Sequence, residues 1–581
     1  MDPALVVSAG VVAVVAVNAL ARRIGVAPPL LLVALGVLVS FLPFVGAVEI
    51  DPEWILAGVL PPLLYSAAVS MPTMDFRRDF GTIGGLSVSL VVLTSVALGL
   101  VFAWLLPGIN LATGIALGAV VSPTDAVATT IVKRLGVAPR VVTVLEGESL
   151  LNDASALVIL RSAVAAIAGS VSLWGVAGDF LRSIVIAVAI GAVVGVLNLR
   201  VRSALHDAAA STAISFVAPF VAFAPAEHFG ASGLVAAVTA GLITGQGSAR
   251  YLRAQDRLAE TSNWSTVEVV LEGGVFLTMG LQLFGLVDEV RDEHDSIWLA
   301  VWMGVVAVVV ALLLRSVYVA VVLLVGSGKR IDPEAERARV LDAAARYEKQ
   351  TRRRDDEHRV RPGDPTRAGR RQRDWTKRVA QHLADVDYLA AQPLTGRDGV
   401  VLVWAGMRGA VTVAAALTLP HNTPQRPLLV LIAFTAAAGS LLVQGGTLPW
   451  VVRRLGVGGA EQEEGDERSA LMSALADAAA GVVDDPELRR SDGSEYHPRV
   501  LERARRQARM EQAEELQEKS RLINAQVLEL RLAIIAAQRA ALLEARSIGT
   551  FSSAALTSAL DVLDADQISA ELKGGAGAAD D

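Results

Sequence analysis

The stretch EGESLLNDASALVIL, from Glu146 to Leu160, carries four strongly polar side chains inside an apolar run: Glu148, Ser149, Asn152 and Asp153. VVTVL precedes it and AVAAIAG follows, so the whole reads as a lipid-spanning helix. A charge at the centre of a bilayer costs at least a few kcal/mol, so its first reading is functional. Ser149, Asn152 and Asp153 stand at i, i+3 and i+4 and share one helix face. Glu148 shares a face with Asn152 but is turned from Asp153 by about 140° at 3.6 residues per turn. The two acids therefore face different surroundings. One can look into water while the other pairs with a basic group, as a buried ion requires.

Two further segments carry polar residues at similar depth. VVSPTDAVATT sets Pro123 inside an apolar helix, just before Thr124 and Asp125. Proline removes a backbone hydrogen bond and clashes with the preceding turn, so a break is expected there. Freed backbone groups at membrane depth are tolerated only against protein or water, and their carbonyls can ligate a cation. GMRGAVT places Gly406 and Gly409 around Arg408, which suggests a second irregular helix. At about 1.5 Å rise per residue, Asp153 lies roughly 20 Å beyond Arg140, Asp125 about 12 Å from Lys133, Arg315 about 21 Å from Lys329 and Arg408 about 15 Å from Asp398. Glu272 is about ten residues into its own span, so all five fall near the midplane of a core roughly 30 Å thick.

Carboxylates, the hydroxyls of Thr124 and Ser149, an amide and loose carbonyls are hard oxygen ligands, suited to small cations. Removal from water favours the neutral form of a carboxylate. One acid can then hold a metal ion or a proton but not both, the minimal chemistry of antiport. The absence of a Walker-type loop argues against an ATP-driven pump, and the absence of cysteine excludes disulfides and thiolate sites. No enzymatic reaction, cofactor or nucleic-acid partner is expected.

These residues must be positioned by a polytopic all-α protein. The chain has 581 residues, 53% of them apolar, too greasy for an ordinary soluble protein. Thirteen transmembrane spans are expected, near 4–21, 26–46, 53–71, 82–106, 110–132, 141–168, 172–199, 209–226, 231–246, 265–287, 297–326, 399–420 and 427–452. Connections with Arg22-Arg23, Arg77-Arg78, Lys133 to Arg140, Arg200 with Arg202, and Arg250, Arg253 and Arg257 alternate with acidic or neutral ones. Basic connections face the cytoplasm. The N-terminus is thus expected outside and the C-terminus inside, with no cleaved signal peptide because no basic region precedes the first apolar run. The spans carrying Pro123 and Arg408 run in opposite directions, and interrupted helices in matching positions of inverted halves point to a transporter's substrate site.

Residues 1–326 and 399–454 form the expected transport domain. Residues 327–398 form a basic cytoplasmic insert, partly helical near 333–354, read either as a solvated loop or as a contact for anionic lipid. Residues 455–581 form an acidic tail, with a linker over 461–496 and a long helix near 498–546. Ile523, Val527, Leu530, Ile534, Ala537 and Ala541 recur at heptad spacing. This seam fits packing within the tail, pairing with another tail, or regulation of the membrane part, with an unknown regulator as partner. Arg161 and Arg182 read as snorkelling arginines, and Asp75 with its neighbours as an ordinary loop.

SPTDAVAT, EGESLLNDASALV and GMRGAVTVAAALTLP resemble the signatures of the monovalent cation:proton antiporter-1 family, as do PPLLYSAAV (61–69) and EGGVFLTMG (272–280). The similarity spans about residues 1–454. It implies the inverted-repeat sodium/proton antiporter fold with broken crossing helices, a homodimer in the prokaryotic plasma membrane and elevator-like alternating access. Asp153 would carry Na⁺ (or K⁺, or Li⁺) and H⁺ in turn, with Asp125, Thr124 and Ser149 helping to ligate the ion. Glu148 would pair with Arg315, Asn152 would stabilise the crossing, and Arg408 would balance its helix ends. The Asn152-Asp153 pair would mark electroneutral one-for-one exchange. Glu272 is a further candidate. Many relatives carry an acid where this chain has Ser66, so an extra carboxylate in the ion path is expected to be absent. A K⁺/H⁺ antiporter and a non-transporting sensor signalling through the tail are the alternatives.

Overall fold

The structure is a computed structural model of the chain. It describes residues 3–42, 51–168, 173–292, 296–328, 334, 337–343, 345–346, 365–457, 478, 481–483, 485, 488–490, 493–502 and 521–575. The connection GSVS (169–172), the arginine run at 352–354, most of the 461–496 linker and residues 503–520 of the expected tail helix lie outside the described residues. Contacts divide the chain into two units, Met1–Gly328 with Leu394–Gly459, and Lys329–Pro393 with Ala460–Asp581. Both are helical, with no β-strand among the described residues.

The first unit runs α1 (Pro3–Ile24), α2 (Pro28–Ser40), α3 (Trp54–Ser70), α4 (Thr73–Arg78), α5 (Phe80–Leu105), α6 (Leu111–Val121), α7 (Val127–Arg134), α8 (Pro139–Ala168), α9 (Leu173–Ala204), α10 (Ala208–His228), α11 (Gly233–Tyr251), α12 (Ala254–Leu281), α13 (Leu283–Asp292) and α14 (Ile297–Gly328). After α15 (Pro365–Ala391) of the second unit, α16 (Gly396–Trp404), α17 (Ala410–Leu417) and α18 (Arg426–Leu455) complete it. Among the described residues, eight helical rods are long and apolar enough to cross a membrane: α1, α5, α8, α9, α10, α12 with α13, α14 and α18. Shorter apolar helices (α2, α3, α6) and α7, α11, α16 and α17 occupy the other expected spans. Several helices start where the chemistry allows. Asn110 and Ser232 accept backbone N–H groups at the starts of α6 and α11, and Thr395 with Asp398 makes a capping box for α16.

Two sets of helices pack among themselves. One comprises α1, α2, α3 and α9 to α12; the other comprises α5 to α8, α14 and α16 to α18. Small residues at the α5–α6 crossing let the backbones approach closely, the usual way helices associate in lipid.

Some local expectations change. α2 ends at Ser40 rather than near 46. α12 starts at Ala254 rather than near 265, so Arg257 is buried in its first turn, with Nη1 donating to the Ser248 carbonyl at 3.4 Å. Asp75 is no ordinary loop residue. It is buried in α4 and pairs with Arg78 at 3.2 Å, while the neighbouring Asp79 accepts both Nε and Nη2 of Arg140. Because α4 packs on α8, these acids lose water and must take arginine partners. Arg161 pairs with Glu227 at 2.9 Å.

In the second unit the insert and the tail pack together: α15 lies on α19 (Arg521–Ile548), which pairs with α20 (Ser553–Gly575). Gln381 donates to the Ser547 carbonyl, and Arg539 pairs with Asp564 at 3.1 Å. Leu530 of the heptad seam is buried with Val483, Tyr496 and Val500, so this part of the seam is filled from within the unit. α20 escaped the sequence reading because it has almost no amphipathic bias and is defined by its partner.

Candidate functional site

The site forms where two helices are interrupted. α6 stops at Val121 ahead of Pro123 and the helix resumes at Val127; α16 stops at Trp404 and α17 begins at Ala410. The breaks meet: the Asp125 N–H donates to the Met407 carbonyl at 2.8 Å. Arg408 fills the gap, its Nε donating to the Val121 carbonyl at 3.0 Å and its Nη1 to the Gly406 carbonyl. Its own N–H donates to Ser440 Oγ at 2.9 Å. Carbonyls freed at the helix ends thus gain a cationic partner away from water. The flanking glycines answer to close approach. A Cβ at Gly409 would collide with the Asp125 carboxylate, and one at Gly406 would meet Arg315 Cδ and Nε at 2.6 Å.

One face of α8 is dry. Glu148 and Arg315 side chains are each 2% exposed, joined through Nη2–Oε2 at 2.7 Å and through a second Nη1–Oε1 contact. Arg315 Nε also donates to the Leu402 carbonyl at 2.8 Å. Thr124 Oγ1 donates to Glu148 Oε1 at 3.0 Å, and Asn152 Nδ2 donates to both the Thr124 carbonyl (3.0 Å) and its Oγ1 (2.8 Å). A bidentate pair with further hydrogen bonds is what an ion pair needs to persist in a dry interior.

The other face lines a cavity of about 270 Å³ between α3, α7, α8, α12 and α17. Asp125, Thr124, Ser149, Asp153, Glu268 and Glu272 all contribute to its wall. Lys133 and Glu146 pair at one end, where the Lys133 side chain is 56% exposed. Asp153 is 8% exposed, and no hydrogen bond or ion pair engages its carboxylate among the described residues. Among the described residues Asp125 Oδ2 is likewise buried and without a hydrogen-bond partner, while its Oδ1 receives a long contact of 3.5 Å from the Val127 N–H. Ser149 Oγ donates to the Glu146 carbonyl at 3.0 Å, leaving its lone pairs free. On the far side of Asp153 from Lys133, Ala154 and Leu157 pack with Leu60, Leu234 and Val411 in an apolar cluster.

The structure therefore groups the singled-out residues into two sets. Asp153, Asp125, Ser149 and Glu272 reach the cavity, as does Thr124, although its hydroxyl is already engaged by Glu148 and Asn152. Glu148, Arg315, Asn152 and Arg408 form the dry crossing. Ser66 is buried, and its Oγ donates to Glu268 Oε1. The carboxylate expected to be missing beside Ser66 is present after all, supplied by another helix. Sequence reading passed over Glu268, although it stands at i−4 from Glu272 and so shares its helix face. That spacing could have revealed it.

Residues 10–348 match the family described as "Sodium/hydrogen exchanger, transmembrane". The uncharacterized Na(+)/H(+) exchanger YjcE of Escherichia coli (strain K12) is 30% identical over 476 residues, covering 78% of this chain and 76% of its own. The sodium, potassium, lithium and rubidium/H(+) antiporter of Bacillus subtilis (strain 168) is 31% identical over 271 residues, 44% of this chain and 39% of its own. The sodium proton antiporter MjNhaP1 from Methanocaldococcus jannaschii has the same fold, with a TM-score of 0.55 at 14% identity, covering 78% of this chain and 98% of its own. The family match and the 30% identical relative show that the chain belongs to the sodium/hydrogen exchanger family of monovalent cation:proton antiporters.

Proposed function

We propose that this antiporter exchanges Na⁺ for H⁺ across the plasma membrane of a prokaryote, one for one, with Asp153 carrying the two ions in turn. Members of this family are transporters, not enzymes, and need no cofactor. The observation that carries the reading is Asp153: a buried carboxylate with no partner among the described residues, facing a cavity that reaches solvent at the Lys133 end. A buried charge needs a compensating partner, and here only a cation or a proton remains to supply it. Asp125, Ser149 and the carbonyls at the α6–α7 break would complete the cation's shell, with Thr124 in a lesser part because its hydroxyl is committed to the crossing. Asn152, by donating both amide hydrogens to Thr124, would serve the crossing and leave a single titrating acid, consistent with electroneutral exchange.

In this reading the Lys133 end faces the cytoplasm, with the N-terminus outside, the C-terminus inside and thirteen crossings in all. The set of α5 to α8, α14 and α16 to α18 would move as an elevator against α3 and α9 to α12 in a homodimer. The apolar packing of Ala154 and Leu157 against Leu60 and Leu234 would then have to part for Asp153 to reach the other side. The second unit, built from insert and tail, would be a regulatory attachment. K⁺ is the second candidate ion, favoured by the Bacillus relatives, whose names include potassium beside sodium.

A proteoliposome dequenching assay tests the proposal. Na⁺, K⁺ or Li⁺, added in turn, should drive proton movement that is insensitive to membrane potential and lost in Asp153→Asn. Transport that persists in Asp153→Asn would remove the carrier assignment.

A further inference from the structure

The cavity wall facing Asp125 and Asp153 is itself acidic. Glu268 and Glu272 stand one turn apart on α12, and both line the cavity. They belong to the opposite helix set: α12 packs with α2, α1 and α10, whereas Asp125 and Asp153 sit at the α6–α7 break and on α8. Glu268 is held in place. Ser66 of α3, itself 5% exposed, donates its hydroxyl to Glu268 Oε1, leaving Oε2 with no protein partner among the described residues. The nearest cationic side chain on the cavity wall is Lys133, which already pairs with Glu146 at the mouth. A half-buried carboxylate fixed by one hydrogen bond, beside a path ending at an unpartnered and nine-tenths buried Asp153, is disposed to bind a cation in passing.

We propose that Glu268, positioned by Ser66, is a cation-binding residue of the access path. It receives the incoming monovalent cation at the α3–α12 wall before Asp153 and Asp125 take it, and so sets apparent affinity rather than turnover. This rests on the reading of Asp153 as the carrier. The physical argument is local concentration: negative charge lining a narrow, low-dielectric cleft raises the cation concentration within it. Because Glu268 is on the wall and not on the helices bearing the site, it does not travel with the ion. Its effect is confined to access from the Lys133 end.

The test uses everted membrane vesicles from a host lacking its own antiporters, so that added Na⁺ meets the face assigned to the cytoplasm. Full-length protein is assayed by dequenching of an acridine dye over a range of Na⁺ concentrations. Glu268→Gln should raise the half-saturating Na⁺ concentration about three- to tenfold, as expected for loss of one charged contact, with the maximal rate nearly unchanged. Ser66→Ala, a gentler change that leaves the carboxylate but frees it, should raise it about two- to threefold. The double variant Ser66→Glu with Glu268→Ala returns a carboxylate to the same place from the α3 side and should recover most of the lost affinity. Unchanged Na⁺ dependence in Glu268→Gln would overturn the proposal. So would a fall in maximal rate without a change in half-saturation, or a monodisperse double variant as impaired as Glu268→Gln. Asp153→Asn runs alongside. If it still transports, the carrier reading fails; if it is dead while Glu268→Gln behaves as wild type, only the access-path role fails.

Discussion

Two faces of one helix differ more than their sequence separation suggests. Glu148 and Asp153 lie five residues apart on α8, both acidic and both buried. Glu148 looks into the crossing, where the Arg315 guanidinium and the Thr124 hydroxyl satisfy it. Asp153 looks into a cavity and has no partner among the described residues. Burial costs each of them solvation; one is compensated by protein and the other is left to be compensated by whatever enters. In the reading proposed for Asp153, a charge in a membrane helix becomes functional through what is withheld from it. The same contrast holds elsewhere. The buried pair of Arg202 and Glu260, at 2.8 Å on both arms and with Ser211 accepting the third donor, is complete and reads as structure.

The sharpest way to break this comparison is to remove each acid in turn. Asp153→Asn should abolish exchange in proteoliposomes while thermal unfolding in detergent stays near wild type, because no protein contact is lost. Arg315→Ala should do the reverse damage: stranding Glu148 without its partner costs about 3–5 kcal/mol, seen as a large fall in unfolding temperature and in the yield of folded protein. A stable but inactive Arg315→Ala would move the pair from structure to function and dissolve the distinction. The crossing itself can be probed by steric change. Gly409→Ala drives a methyl group into the Asp125 carboxylate and should cut transport several-fold, whereas Gly439→Ala, with nothing within 4 Å, should be silent in the same assay. Asn152→Ala leaves Thr124 without its donor and should destabilise by about 1–3 kcal/mol, measured by thermal unfolding. The smallest effect is expected for Ser149→Ala, whose hydroxyl already serves the Glu146 carbonyl. About a two- to threefold rise in half-saturating Na⁺ is predicted, since one weak oxygen ligand is lost.

Much of this was legible before any coordinates. Helical periodicity alone separated Glu148 from Asp153, and Pro123 marked the break between α6 and α7. Other features were hidden. Gly406 and Gly409 suggested irregularity without a cause, because what excludes a Cβ at each is a side chain from a distant part of the chain, Arg315 and Asp125. Glu268 went unnoticed because its meaning depends on Ser66, 202 positions away. Asp75 looked like loop because its burial comes from packing of α4 on α8. The union of insert and tail in one unit could not be read from either, since it rests on the packing of α15 on α19.

What the sequence determined by itself is the membrane class, the family and which residues are costly at depth, because hydropathy, spacing and proline chemistry are local properties. What the tertiary structure decided is which of those residues are compensated and which are left open, because partnership between charges depends on helices that meet only in the folded bundle.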